Sequence, residues 1–244
     1  SCYDSPDYRM LIPYRLKGCT AVVWAGKTDK FYQLPTMDTG DPINKLTLKY
    51  EPENNISNNH LDALWHSGPL LMFSSENISN TENVSLVRNT NDITIGITRG
   101  NNPVDASKYD IQLITANNFY DYKNNVGESS KNIIYHPCSV EEEDSKTALQ
   151  TRLHTLRFIK DADTTFSITE KASGKTIDIG GKTTINLIDY LFMSKPEMMG
   201  DQEYLDRRYE WDINIRIGDK EENGYIALSI TINNWTYWFQ PTDM

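Results

Sequence analysis

No run of apolar residues in this 244-residue chain approaches the roughly 18 that a membrane-spanning helix requires. Attachment to a membrane is therefore expected to be covalent. Positive charge is also short: 24 Lys and Arg stand against 34 Asp and Glu, a net −10, and the basic residues form no cluster. Such a chain repels polyanions, so nucleic acid is not an expected partner. Cysteine is scarce, with Cys2, Cys19 and Cys138 too few for a disulfide scaffold and too far apart for a C-x-x-C metal or redox pair. There is no charged low-complexity tail, and an aromatic content of 11% is well above that of a disordered chain. A folded protein is expected.

Recognisable catalytic patterns are missing too. The three Gly-Lys-Thr triplets, at Gly26, Gly174 and Gly181, carry Ala21, Thr169 and Thr176 where a phosphate loop needs its leading glycine, and read as turns. His60, His66, His136 and His154 form no H-x-x-x-H pair for a metal. No G-x-S-x-G elbow exists, and Glu141 to Asp144 is a run of consecutive acids suited to solvent rather than to gripping a substrate. No enzyme, cofactor or metal site is expected. Four N-x-S/T sequons, at Asn55, Asn77, Asn83 and Asn234, carry no weight in a chain so rich in these residues.

What the chain does have is strict alternation of apolar and polar residues, the mark of half-buried strands. Clear cases are Leu46/Leu48/Tyr50, Ile93/Ile95/Ile97, Tyr109/Ile111/Leu113, Phe166/Ile168, Trp211/Ile213/Ile215/Ile217 and Ile226/Leu228/Ile230/Ile232, with shorter runs at Ala21 to Trp24 and Ile133 to Tyr135. Turn-rich clusters such as Gly100-Asn101-Asn102-Pro103 separate them. The pattern predicts an all-β protein of antiparallel sandwiches. Short connector helices are expected at Asn58 to Trp65 and Thr184 to Met193, where apolar residues recur at helical spacing.

The most polar break, Asn77 to Asn83, places a boundary near residue 82. Residues 83–244 hold enough strands to close a sandwich, whereas 1–82 offer only three or four and would leave an edge open. Either the first domain is completed from outside this sequence, or the two parts form one irregular unit.

Cys2 stands apart from the other cysteines. A bacterial lipoprotein signal peptide is cut immediately before a cysteine that then carries the lipid, and Ser1 suits the small residue preceding such a cut. An ordinary thiol near a chain end is the plainer reading.

Several segments carry a resemblance by their order. Leu16-Lys17-Gly18-Cys19-Thr20-Ala21-Val22-Val23-Trp24-Ala25-Gly26 is followed by Leu61-Asp62-Ala63-Leu64-Trp65-His66-Ser67-Gly68 and Leu86-Val87-Arg88-Asn89-Thr90-Asn91-Asp92-Ile93. Asn118 to Asn125, Ile134-Tyr135-His136-Pro137, Tyr204 to Glu210 and Ile230 to Thr236 complete the series. Together they resemble the FimB/Mfa-type fimbrillin-associated anchor proteins of Bacteroidales (type V) fimbriae. The resemblance implies two transthyretin-like β-sandwich domains, 1–82 and 83–244. It also implies an outer-membrane lipoprotein held at the cell surface by a lipid on Cys2, serving as anchor or accessory subunit of a fimbrium. Two departures stand out: few residues precede the Trp24 segment, and Asn233-Asn234-Trp235 replaces the more usual Asn-Gly-Trp.

Assembly by strand addition needs an unpaired sheet edge. The closing segment, Tyr225 to Phe239, is the best candidate contact element, with Tyr225, Leu228, Ile230, Trp235 and Trp238 as expected partner-binding residues; a central core strand is the plainer alternative. Simple alternation would put Trp235 with the polar set. A bulge or turn at Asn233-Asn234 would instead carry it into the core, which is the expectation here. The five tryptophans, at 24, 65, 211, 235 and 238, also motivate a second function, a surface carbohydrate-binding sandwich in which aromatic faces stack on sugars.

Overall fold

A computed structural model describes residues 20–26, 28, 30–67, 71–72, 83–138, 149–220 and 224–240. Cys2 and Cys19, and the expected boundary at residue 82, lie outside them.

Two large sheets make the body of the protein. The first is built on Thr90–Arg99, Glu210–Lys220 and Gly224–Ile232, with Asn102–Val104 and Gln150–Leu156 beside Thr90–Arg99 and with Asp178–Ile179 and Trp235–Trp238 beside Gly224–Ile232. The second runs Ile185–Asn186, Thr165–Glu170, Tyr109–Ala116, Asn132–Tyr135, Ile56–Ser57. The alternation that marks these strands in the sequence is the alternation of their faces. Trp211, Ile213, Ile215 and Ile217 are buried while Asp212 is exposed, and Ile93, Ile95 and Ile97 lie beside them in register. One hydrophobic cluster joins this face to Ile111, Leu113, Ile133, Tyr135, Phe166 and Ile168 of the second sheet. Burying each such side chain contributes roughly 1.5–3 kcal/mol, which is what holds the two layers together.

The fold is the expected all-β sandwich, with three corrections to the local reading. The sheets are mixed rather than purely antiparallel: Glu210–Lys220 runs parallel to Thr90–Arg99, Ile56–Ser57 to Asn132–Tyr135, and Asp178–Ile179 to Gly224–Ile232. Asn58 to Trp65 is not a helix. Its last residues belong to the strand Leu64–His66, which pairs with Trp24–Gly26 on one side and Val87–Arg88 on the other, and backbone pairing outweighs a short helical pattern. The closing segment is not one strand but a hairpin, Gly224–Ile232 and Trp235–Trp238.

The helix expected within Thr184 to Met193 is present as Leu187–Leu191, capped by the Asn186 side chain on the Ile188 amide and continued by a 3-10 turn, Phe192–Ser194. A further helix, Asp201–Arg207, precedes the central strand. Its Asp206 receives a bidentate bond from Arg157, with Nε and Nη2 each 2.6 Å from a carboxylate oxygen, so this helix is tied to the end of Gln150–Leu156.

Among the described residues, three strand pairings join residues before position 82 to residues after it. Ile56–Ser57 joins the second sheet, Leu48–Tyr50 pairs with Phe119–Tyr120, and Leu64–His66 pairs with Val87–Arg88. The Asn118 amide fixes one of these joints, donating to the Tyr50 carbonyl at 3.0 Å while Tyr50 N–H donates to the Asn118 carbonyl at 2.9 Å.

Candidate interaction surface

Asn233 and Asn234 have φ of 45° and 76°, the double positive φ of a two-residue hairpin turn whose twist matches the strands it joins. Asn tolerates this region better than other residues with a side chain, which is why the turn forms here without glycine. The Asn233 side chain adds a tie, accepting from Asp212 N–H at 2.8 Å.

The register then runs Ile232 opposite Trp235, Thr231 opposite Thr236, Ile230 opposite Tyr237 and Ser229 opposite Trp238. Residues flanking a two-residue turn form a hydrogen-bonded pair, and such pairs alternate along the ladder. Phe239 N–H donates to the Leu228 carbonyl at 3.1 Å, two rungs beyond Tyr237, in keeping with that phase. Thr236 and Trp238 therefore turn their N–H and C=O groups away from the sheet. Among the described residues no strand pairs with that side.

Directly opposed residues share a face. Trp235 and Tyr237 thus stand on the same side as Ile232 and Ile230, the core side, while Trp238 stands on the other, under the Arg216 guanidinium at 5.7 Å from the ring centre. Trp235 is nonetheless 64% exposed and Trp238 54% exposed. The expected backbone irregularity is present and does turn Trp235 to the core side, but the expected burial is not found. No described element covers the indole. Tyr237 is partly covered by Tyr190, with ring centres 6.1 Å apart, and Phe239 packs 5.2 Å from Tyr237.

The five expected contact residues are not one patch. Trp235 and Trp238 are exposed on opposite faces of the edge strand, and Ile230 is in the core. Tyr225 and Leu228 are half-buried, Tyr225 beneath Arg99 and Leu228 against Gly218. Tyr237 and Thr236 were not in that set. Nothing in their residue types marks them; the hairpin register alone brings them to the edge. Cys2 lies outside the described residues.

Near the Asn233 turn, the Arg88 guanidinium donates to Asp92 at 2.6 Å and to Thr90 at 3.0 Å, and lies over the Tyr209 ring at 4.2 Å. Asp92 also meets His154 Nδ1 at 2.7 Å. Burial opposes its charge, but His154 and Arg88 more than offset this and hold the carboxyl below its usual range. His66, buried in the strand that pairs with Val87–Arg88, has its imidazole pushed down to about 4, chiefly by burial.

Among the described residues the outer side of Trp235–Trp238 has no pairing strand, and an open edge of this kind is what strand addition requires. Residues 3–241 match the family of fimbrillin-A associated anchor proteins Mfa1 and Mfa2, and the chain belongs to that family. It is thereby a fimbrial anchor or accessory subunit, associated with fimbriae at the cell surface. Among solved structures it is similar to a candidate polysaccharide-binding protein of Bacteroides thetaiotaomicron, at 27% identity and TM-score 0.74 over 91% of this chain and 76% of that one. A candidate adhesin of the same species matches at 23% identity and TM-score 0.73, covering 96% and 81%. The fimbrial anchor protein Mfa2 of Porphyromonas gingivalis matches at 16% identity and TM-score 0.64, covering 92% and 78%. The last two likenesses concern the fold. No curated protein sequence matches the chain.

Proposed function

We propose that this protein holds its fimbrial partner by strand addition at the free edge of Trp235–Trp238, and that its role is structural rather than enzymatic. The observation that carries the reading is the coincidence, on one short strand, of outward N–H and C=O groups with aromatic side chains left uncovered on the core side. An incoming strand would pair with Thr236 and Trp238 and lay alternate apolar side chains beside Trp235 and Tyr237. Thr236→Pro tests this, because it removes an outward N–H while leaving the hairpin's backbone ladder in place, at the loss only of the exposed Thr231–Thr236 hydroxyl contact. The variant is expected to keep the fold and to lose capture of the fimbrial subunits of its own bacterium. Undiminished capture by a folded variant overturns the reading.

The protein is further proposed to be anchored in the outer membrane by a lipid on Cys2. Acyl chains contribute about 0.8 kcal/mol per buried CH₂, enough in combination to anchor a domain with no apolar span. Cys2→Ala in the precursor is expected to release the protein from the membrane fraction; retention there, or a signal cut elsewhere, refutes it. We also propose that 1–82 and 83–244 are two units, the first incomplete and leaning on the second through its short strands.

A carbohydrate role through the tryptophans finds less support. Trp211 is buried with its N–H on Asn91 at 3.2 Å, and the two exposed indoles sit on the edge strand, on opposite faces.

A further inference from the structure

Trp238 ends a row of directly opposed residues, Thr98, Arg216, Ser229 and Trp238, on the outer face of the first sheet. Opposed residues share a face, so these four side chains stand side by side across four strands. Ser229 is small and only 3% exposed, and the Arg216 side chain reaches past it to set its guanidinium 5.7 Å from the centre of the Trp238 ring.

The attraction between cation and ring uses the charge of the guanidinium but none of its N–H groups. A guanidinium has five N–H donors, and among the described residues Arg216 forms no ion pair. Its Nε is enclosed and out of a ligand's reach, whereas the terminal nitrogens Nη1 and Nη2 of this half-buried side chain are not enclosed. Arg88, Arg99 and Arg157 each meet an aspartate. Arg216 has none at hand: the next row on this face, Asn214, Thr231 and Thr236, is uncharged, with the Thr231 and Thr236 hydroxyls bonded to each other at 2.9 Å. In a chain with 34 acidic residues against 24 basic ones, a cation thus stands beside the open edge without a carboxylate.

We propose that the strand received at Trp235–Trp238 is acidic on one face as well as apolar on the other. It carries apolar residues on the side of Trp235 and Tyr237 and, opposite Trp238 on the outer face, a glutamate whose carboxylate accepts from Nη1 and Nη2 of Arg216. The inference rests on strand addition at this edge and adds the chemistry of the partner. A residue directly across from Trp238 has its Cβ about 5 Å from that of Trp238, so a long acidic side chain runs along the indole toward the guanidinium. The pair also fixes register, because a slip of one residue turns the glutamate to the apolar side.

The probes are three synthetic decapeptides, KTVTVXVTVK, blocked at both ends, with Glu, Gln or Lys at X. Each is titrated at low salt into nitrogen-15-labelled protein, and binding is read from the indole N–H resonances of Trp235 and Trp238. The net charge of −10 favours the more positive peptide at long range, in the order Lys, Gln, Glu. The local cation requires the reverse: the Glu peptide is expected to bind about threefold tighter than the Gln peptide and about tenfold tighter than the Lys peptide. Arg216→Gln is expected to abolish the preference for Glu, Arg216→Glu to turn it toward Lys, and Thr236→Pro to lose all three peptides. Binding of the three without preference for Glu, or a preference that persists in folded Arg216→Gln, overturns this proposal and leaves strand addition standing. Failure of all three to bind the parent, or undiminished binding by Thr236→Pro, overturns strand addition and this proposal with it.

Discussion

Ile232 and Trp235 face each other across the closing hairpin and share the core side of the sheet, yet Ile232 is 2% exposed and Trp235 is 64% exposed. The difference is one of cover, not of register: on the core side of the edge strand, described cover reaches Tyr237 through Tyr190 but does not reach Trp235. A side chain in such a place contributes little to stability while the protein is alone.

Trp235→Ala is accordingly expected to lower the unfolding free energy by less than about 1 kcal/mol, whereas Trp211→Ala, at a fully enclosed indole, costs about 3–5 kcal/mol. Urea melts of the two variants compare them directly. A loss at Trp235 as large as that at Trp211 means the indole is enclosed after all.

Asn234 carries φ of 76°, which glycine adopts without steric cost. Asn234→Gly is expected to melt at or slightly above the parent temperature, and Asn234→Val to lose about 1–2 kcal/mol. Equal stability of both variants implies that the turn does not hold this backbone conformation.

The depressed imidazole of His66 gives a pH dependence with a defined sign. Its folded value of about 4 lies below the ordinary 6.5, so folding favours the neutral ring. The stability it contributes is complete above about pH 6.5 and is lost as pH falls toward 4, to a limit of about 3 kcal/mol. Denaturant melts at pH 7.5 and 4.5 measure the loss, and His66→Gln should flatten that part of the profile. An unchanged slope in the variant assigns the dependence to other groups.

Arg157 and Asp206 form a shielded, bidentate pair. Removing one partner leaves the other charge uncompensated, so Asp206→Ala is expected to cost about 3–5 kcal/mol. Arg157→Lys, which keeps the charge but not the fork, should lose part of that. Calorimetry distinguishes them; a neutral Asp206→Ala means the pair is surface decoration.

Hydrogen exchange addresses the proposed division near residue 82. The slowest amides are expected in Thr90–Arg99, Glu210–Lys220 and Tyr109–Ala116, with the two- and three-residue strands before residue 67 exchanging faster. Protection throughout 1–82 equal to that of the central strands removes the distinction.

The sequence by itself determined which residues form the layers. Period-two runs such as Trp211 to Ile217 leave only one way to hide four large side chains at once, so strand and inward face were both legible there. The Asn233-Asn234 reversal was legible as well, since Asn is suited to the backbone such a turn needs. Gln150–Leu156 is not legible in this way because its sequence, QTRLHTL, has little alternation; it is a strand through its seven-residue pairing with Thr90–Arg99. Only the tertiary structure decided what covers each face. The helical spacing in Asn58 to Trp65 yielded to pairing partners drawn from positions far away in the chain. Trp235 and Ile232 are apolar neighbours in sequence, and nothing local distinguishes them. One lies beneath the opposite layer and the other beyond it, and burial is set by that distance in space, which no local pattern of residues records.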